Sequence, residues 1–213
     1  MFDGDDFVLI SPMCNTYRIQ PKRQDQSAMA ARIAEVLKRM KSPLVRKADA
    51  APVIRADGGA DLMRWGFSRE FNPAINNARG DKLEGGMWGE AFRQRRCVIP
   101  MTLFYEWGPG TGGRKQTHQF DDPEDDFLWV AGIWEAHPEL GPCYSMVTTA
   151  ASPLMSPIHD RMPALLRTEE MDEWMAGAGT WDFQPFSGPL VVTPCESPLG
   201  KGAGTGKIQG ELF

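Results

Sequence analysis

The sequence predicts a single, mainly β domain of the α+β class. Seven short segments rich in β-branched and aromatic residues are bounded by Gly and Pro, at 53–55, 62–65, 97–99, 103–107, 127–134, 144–149 and 190–193. Three segments carry helical spacing. Strands and helices do not alternate regularly, which argues against a doubly wound parallel sheet.

The clearest helix is predicted over 27–41. Met29, Ile33, Val36, Leu37 and Met40 recur at spacings of three and four, and Pro43 stops the run. A shorter helix is expected over 87–93, with Trp88, Ala91 and Phe92 on one face, and a third over 169–175. Gly108–Arg114 reads as a glycine-rich connection and 121–126 as an acidic turn. Residues 1–13 read as an extension or removable leader, 14–196 as the domain, and 197–213 as a Gly/Lys-rich flexible tail.

Composition narrows the function. The chain has 213 residues, 42% of them hydrophobic, which suffices for a real core. Its formal charge is −5, so a polycation that coats nucleic acid is disfavoured, while a local basic groove is not. The stretch 55–96 holds Arg55, Arg64, Arg69, Arg79, Lys82, Arg93, Arg95 and Arg96 and can supply such a face. No window approaches the roughly 18 apolar residues of a membrane span. The acidic start lacks the positive front of a signal peptide. Cys14, Cys97, Cys143 and Cys195 form no C-x-x-C pair, and His118, His137 and His159 have no close His or Cys neighbour. A cytoplasmic, reduced protein without metal or other cofactor is expected.

Two glycine- or acid-rich motifs carry no chemistry. The tail GKGAGTGKI lacks the first phosphate-loop glycine, since position 201 is Lys201. The run 121–126 lacks the alternating carboxylates and central glycine of a calcium loop.

Four other positions do invite chemistry. Glu106 lies inside Phe104-Tyr105-Glu106-Trp107, where a buried carboxylate is costly unless paired or used. Strand alternation puts Phe104 and Glu106 on one face, Tyr105 and Trp107 on the other; a solvent-facing Glu106 is the simplest reading. His159 sits in Ile158-His159-Asp160-Arg161-Met162-Pro163, a poor core segment. Asn77-Ala78-Arg79 reads as a polar loop after Pro73. Cys14 follows Met13, so removal of the head would leave an N-terminal 1,2-aminothiol.

Taken in order, Met13-Cys14, Leu62-Met63-Arg64-Trp65-Gly66, Asn77-Ala78-Arg79, Arg96-Cys97-Val98-Ile99-Pro100, Phe104-Tyr105-Glu106-Trp107, Ala131-Gly132-Ile133-Trp134-Glu135, Thr148-Thr149 and Ile158-His159-Asp160-Arg161-Met162-Pro163 resemble the SOS-response-associated peptidase (SRAP) family of abasic-site processing proteins. The resemblance implies a twisted, barrel-like, mainly antiparallel β core with a few peripheral helices. It implies binding of single-stranded DNA and covalent trapping of abasic sites. A monomer with no obligate protein partner and no membrane is expected, since nothing in the sequence resembles a coiled coil or a membrane span. Cys14 would form the crosslink, Asn77 would position it and the opened sugar, and Glu106 and His159 would handle protons. Arg79 and Arg161 would contact phosphates, and Trp65 would belong to the DNA cleft. Family members often carry Gly-Arg after the cysteine; here Asn15-Thr16-Tyr17-Arg18 follows, which makes Arg18 the candidate for that phosphate contact.

The implied chemistry suits these residue types. A neutral cysteine amine attacks the abasic aldehyde, and the thiol closes a five-membered thiazolidine. The amine, with a pKa of roughly 7.7–8, needs a base such as Glu106. Departure of hydroxide needs an acid such as His159. While residues 1–13 remain attached, the Cys14 nitrogen is an amide and cannot react in this way. Either translation starts at Met13, or the chain cleaves itself there, or the protein binds DNA without crosslinking it. A cysteine hydrolase built on Cys14, His159 and Asn77, acting on peptides in trans, is the other reading.

Overall fold

The computed structural model describes residues 15–21, 28–177 and 180–200. Cys14, the expected leader and most of the expected tail lie outside the described residues.

The described residues begin with β1 (Thr16–Arg18), followed by α1 (Ala28–Leu37) and β2 (Leu44–Arg46). Ile33 and Val36 anchor α1 in the core. The helix ends at Leu37 rather than 41, because Arg39 and Met40 donate to the carbonyls of Val36 and Leu37, three residues back. These i→i−3 bonds tighten the last turn before Pro43. Next come β3 (Ala50–Arg55), β4 (Ala60–Trp65), the hairpin strands β5 (Phe67–Arg69) and β6 (Asn72–Ile75), and β7 (Asn77–Arg79). After α2 (Gly89–Gln94), β8 (Arg96–Met101) leads to β9 (Leu103–Pro109) and β10 (Lys115–Asp121). The chain continues through β11 (Leu128–His137), β12 (Gly141–Ala150), β13 (Arg161–Pro163) and β14 (Leu165–Leu166) to α3 (Met171–Ala176) and β15 (Val191–Cys195).

Two sheets carry the architecture. In the larger, β12, β4, β3, β8 and β11 are successive neighbours, and β11 pairs back onto β12, so these five strands close a ring. Every joint in the ring is antiparallel except β4–β12. The second sheet runs β15-β10-β9-β1-β2, all antiparallel. One contiguous core joins them, with Trp65, Tyr17, Tyr144, Phe104 and Trp174 all fully buried. Tyr17 and Tyr144 share a 2.6 Å hydroxyl hydrogen bond, which satisfies both groups away from water.

Two expectations need correction. Asn77-Ala78-Arg79 is a strand rather than a loop. It pairs in parallel with Met146–Thr148, and Ala78 is fully buried. The partner lies about 70 residues away, beyond any local pattern. Glu106 does not face solvent; it is 1% exposed. Among the described residues no helix is long and apolar enough to cross a membrane.

Candidate active site

The site is assembled where the beginning of β1 meets β7 and the middle of β9. Register fixes the first of these approaches. Tyr17 pairs with Phe104 and Arg18 with Leu103, antiparallel, so the start of β1 runs toward the Glu106 end of β9. Asn15, immediately before β1, accepts a 3.2 Å hydrogen bond at Oδ1 from Asn76 Nδ2. The residue that follows Cys14 is therefore tied to the residue that precedes Asn77.

Asn76 is itself held on three sides. Its carbonyl accepts from Trp65 Nε1 and from Met146 N–H, each at 2.9 Å. The neighbouring Ile75 carbonyl accepts from Ser145 Oγ. Trp65 is 0% exposed, packed edge-on to Tyr17 and stacked with Tyr144. Its expected place on a DNA cleft is thus corrected: the ring braces the Asn76-Asn77 strand from inside the core. Asn77 follows, half-buried, with its backbone opposite Met146.

Glu106 continues an apolar column. Phe104 and Phe120 pair across β9 and β10 with rings stacked at 4.8 Å, and the next pair on that side is Glu106 with His118. Glu106 Oε1 accepts from Trp107 N–H at 3.0 Å. One pair further on, Gly108 approaches Ile158 so closely that a Cβ there would lie 2.9 Å from Ile158 Cγ2. The turn that carries His159 is thereby brought against the Glu106 side of the sheet.

His159 is fixed by its own turn. Its N–H donates to Met155 O and its Nδ1 accepts from Arg161 N–H, both at 3.0 Å. Its side chain is 7% exposed. Asp160 Oδ1 also lies 3.0 Å from Nδ1, a contact that becomes an ion pair only when the ring is protonated.

Arg79 and Arg161 converge on one carboxylate. Arg79 holds Asp81 through two bonds of 3.0 and 2.8 Å, and Arg161 Nη2 stands 3.8 Å from it. Arg161 is aimed by Thr148, donating to its carbonyl at 2.6 Å and to its hydroxyl at 3.0 and 3.1 Å. The hydrogen bond from Arg79 lowers the Asp81 carboxyl below its usual range. Burial lowers the Arg161 guanidinium, and the adjacent Arg79 charge lowers it further. A depression of about 340 Å³ opens here, lined by Asp81, Thr149, Arg161, Trp181 and Phe183 among others.

Arg18 is not gathered into this arrangement. Its Nε donates to Tyr105 OH at 3.4 Å and its Nη1 to Gln20 Oε1 at 3.2 Å. Tyr105 alternates away from Glu106, so Arg18 lies on the other face of the sheet. Three residues not singled out by the sequence stand out instead. Asn76 adjoins a motif, and strand alternation with a paired β10 would have shown His118. Phe71, at the tip of the β5–β6 hairpin, is 79% exposed. That hairpin is tied to β11 by a bidentate Arg69–Glu135 pair at 2.6 and 2.8 Å.

The β-ring domain holds a buried carboxylate, a buried imidazole and a pair of guanidiniums, with the start of its first strand tied to the strand of Asn77. Comparison places it further: the sequence matches the SOS response associated peptidase (SRAP) family over residues 13–197, and the chain belongs to that family. It is 31% identical over 116 residues to the abasic site processing protein YoqW of Bacillus subtilis (strain 168), covering 52% of each chain. It is 29% identical over 147 residues to the abasic site processing protein HMCES of Gallus gallus, covering 53% of this chain and 44% of that one. The chain thus matches about half the length of these relatives. Solved structures from Bacteroides thetaiotaomicron and Bordetella bronchiseptica share the fold. Each has a TM-score of 0.69 and covers 86% of this chain, at 19% and 22% identity; the covered shares of those chains are 92% and 100%.

Proposed function

We propose that this protein processes abasic sites in DNA by binding single-stranded DNA and capturing the opened sugar covalently on Cys14. The observation that carries the proposal is the Asn15–Asn76 bond, which ties the chain next to Cys14 to the Asn77 strand. The relatives named for abasic site processing support the same substrate.

In the proposed reaction the domain over 14–196 works with residues 1–13 absent, so that Cys14 carries a free amine. Glu106 takes a proton from that amine, and the nitrogen attacks the aldehyde carbon of the opened deoxyribose. His159, entering this step as the imidazolium that faces Asp160, gives a proton to the departing hydroxyl, and water leaves. The Cys14 thiolate then adds to the imine carbon, and the thiazolidine ring closes. Asn77 orients the sugar through an amide that does not compete for protons. Arg79 and Arg161 take the flanking phosphates, and exposed Phe71 offers a stacking face for a base.

Intact mass of the natively expressed protein, before and after incubation with abasic single-stranded DNA, tests this. A chain beginning at Cys14 that forms a heat-stable adduct, lost in Cys14→Ala, is the expected result. A chain that retains residues 1–13 and turns over an added peptide overturns it in favour of the hydrolase.

A further inference from the structure

The buried side of the β9–β10 pair holds a second polar group beside Glu106. His118 stands directly opposite Glu106 in the antiparallel register. Side chains at such positions have Cβ atoms about 4.5–5.5 Å apart. His118 Nδ1 is fully enclosed and has no hydrogen-bond partner, although the residue as a whole is only half-buried. An enclosed ring nitrogen without a partner is unfavourable and rare in native structures. The rest of that column is apolar or closed: Phe104 and Phe120 stack on one side, Gly108 is covered by Ile158 on the other, and β15 offers Pro194 opposite His118. A phenylalanine-like ring would fill the place without the unpaired nitrogen.

The state of Glu106 changes during the proposed reaction. A carboxylate only accepts hydrogen bonds, and its neighbour Trp107 N–H suits that state. Once it has taken the amine proton it becomes a carboxylic acid with one O–H to donate, in a place sealed from water. A neutral imidazole nitrogen across the strand pair, which makes no hydrogen bond in the present geometry, becomes an acceptor for that O–H when the two side chains close on each other. We propose that His118 is a positioning residue that receives the hydrogen bond of protonated Glu106, and so stabilises the state through which the base must pass. This rests on the reading of Glu106 as the base in abasic-site capture. No proton is lost or gained by His118: the proton goes from amine to carboxylate, stays on the carboxyl oxygen while bonded to Nδ1, and passes to the aldehyde oxygen as that becomes the hydroxyl His159 later protonates.

The test compares wild type, His118→Phe and His118→Asn. Phe keeps the volume and removes the acceptor; Asn places an amide oxygen near the position of Nδ1. Three quantities are read: the single-turnover rate of adduct formation with abasic single-stranded DNA, the affinity for intact single-stranded DNA, and the thermal midpoint. The expected result is a loss of about tenfold in rate for His118→Phe, as for removal of one buried hydrogen bond. Its affinity is unchanged and its midpoint equal or higher. His118→Asn recovers the rate to within about threefold, on the same principle. A His118→Phe protein as fast as wild type overturns the proposal, as does equal slowing in both variants, which marks a packing effect. A wild type that forms no adduct overturns the capture reading itself, and this role with it.

Discussion

Asn76 Nδ2 and Asn15 Oδ1, 3.2 Å apart, join two segments separated by 61 positions in the chain. The bond lies between side chains, so it can be removed without touching a strand. Asn76→Ala leaves the carbonyl that Trp65 and Met146 use and deletes only the amide. The variant should lose about 1 kcal/mol of stability, the usual worth of such a bond. It should lose more in capture rate than in DNA affinity, which a single-turnover assay beside a binding isotherm measures.

Gly108 is where the His159 turn presses on the sheet. A Cβ at that position would meet Ile158 Cγ2 at 2.9 Å and Ile158 Cα at 3.1 Å. Backbone is among the obstructing atoms, so the turn must move. Gly108→Ala should cost about 1–3 kcal/mol by overpacking. It should also reduce adduct formation sharply, while the variant still melts cooperatively.

Asp81 occupies both guanidiniums that the proposed phosphate site requires. Asp81→Asn should tighten binding of single-stranded DNA several-fold at low salt, because the phosphate no longer competes with a carboxylate. The gain should shrink as salt rises. Affinity measured at two salt concentrations checks this; weaker binding at low salt would show that Asp81 preorganises the arginines instead.

Phe71, 79% exposed, contributes little to the core. Phe71→Ala should leave the thermal midpoint nearly unchanged. It should weaken single-stranded DNA by about 1–3 kcal/mol, the value of one stacked base. Fluorescence anisotropy with a labelled oligonucleotide reads the effect.

Burial raises the Cys97 thiol, and it also raises the Tyr144 hydroxyl. Both ionise more readily in the unfolded chain. Their stabilising effect is therefore complete below the unfolded pKa, about 8.5 for the thiol, and declines as pH rises above it. Thermal midpoints should fall between pH 8 and 10, and less steeply in Cys97→Ala than in wild type. Cys97 should also resist alkylation until the protein unfolds, whereas the half-buried Cys195 reacts earlier.

The readable and the unreadable parts of the sequence divide along a physical line. Strands with their own apolar signal, such as 97–99 and 144–149, are located correctly and only lengthen, to Arg96–Met101 and Gly141–Ala150. Strands without one carry no local signal. Lys115–Asp121 reads polar because its inward positions include His118, and Asn77–Arg79 exists only through Met146–Thr148. The site divides similarly. Glu106 and His159 stand out as costly residues in apolar or rigid surroundings. Arg18 and Trp65 take their roles from resemblance alone; alternation puts Arg18 on the face opposite Glu106, and Trp65 is fully buried. Asn76 and His118 acquire meaning only from a partner across a strand pair.

The parallel joint between β4 and β12 sets an order of events during synthesis. It pairs Arg64 and Trp65 with Cys143 and Tyr144, and β12 also carries β7 and aims Arg161. A nascent chain that has not yet released Gly141–Ala150 from the ribosome has neither the closed ring nor a support for Asn76. The ring and the seat of Asn76 therefore form only when most of the domain has been synthesised.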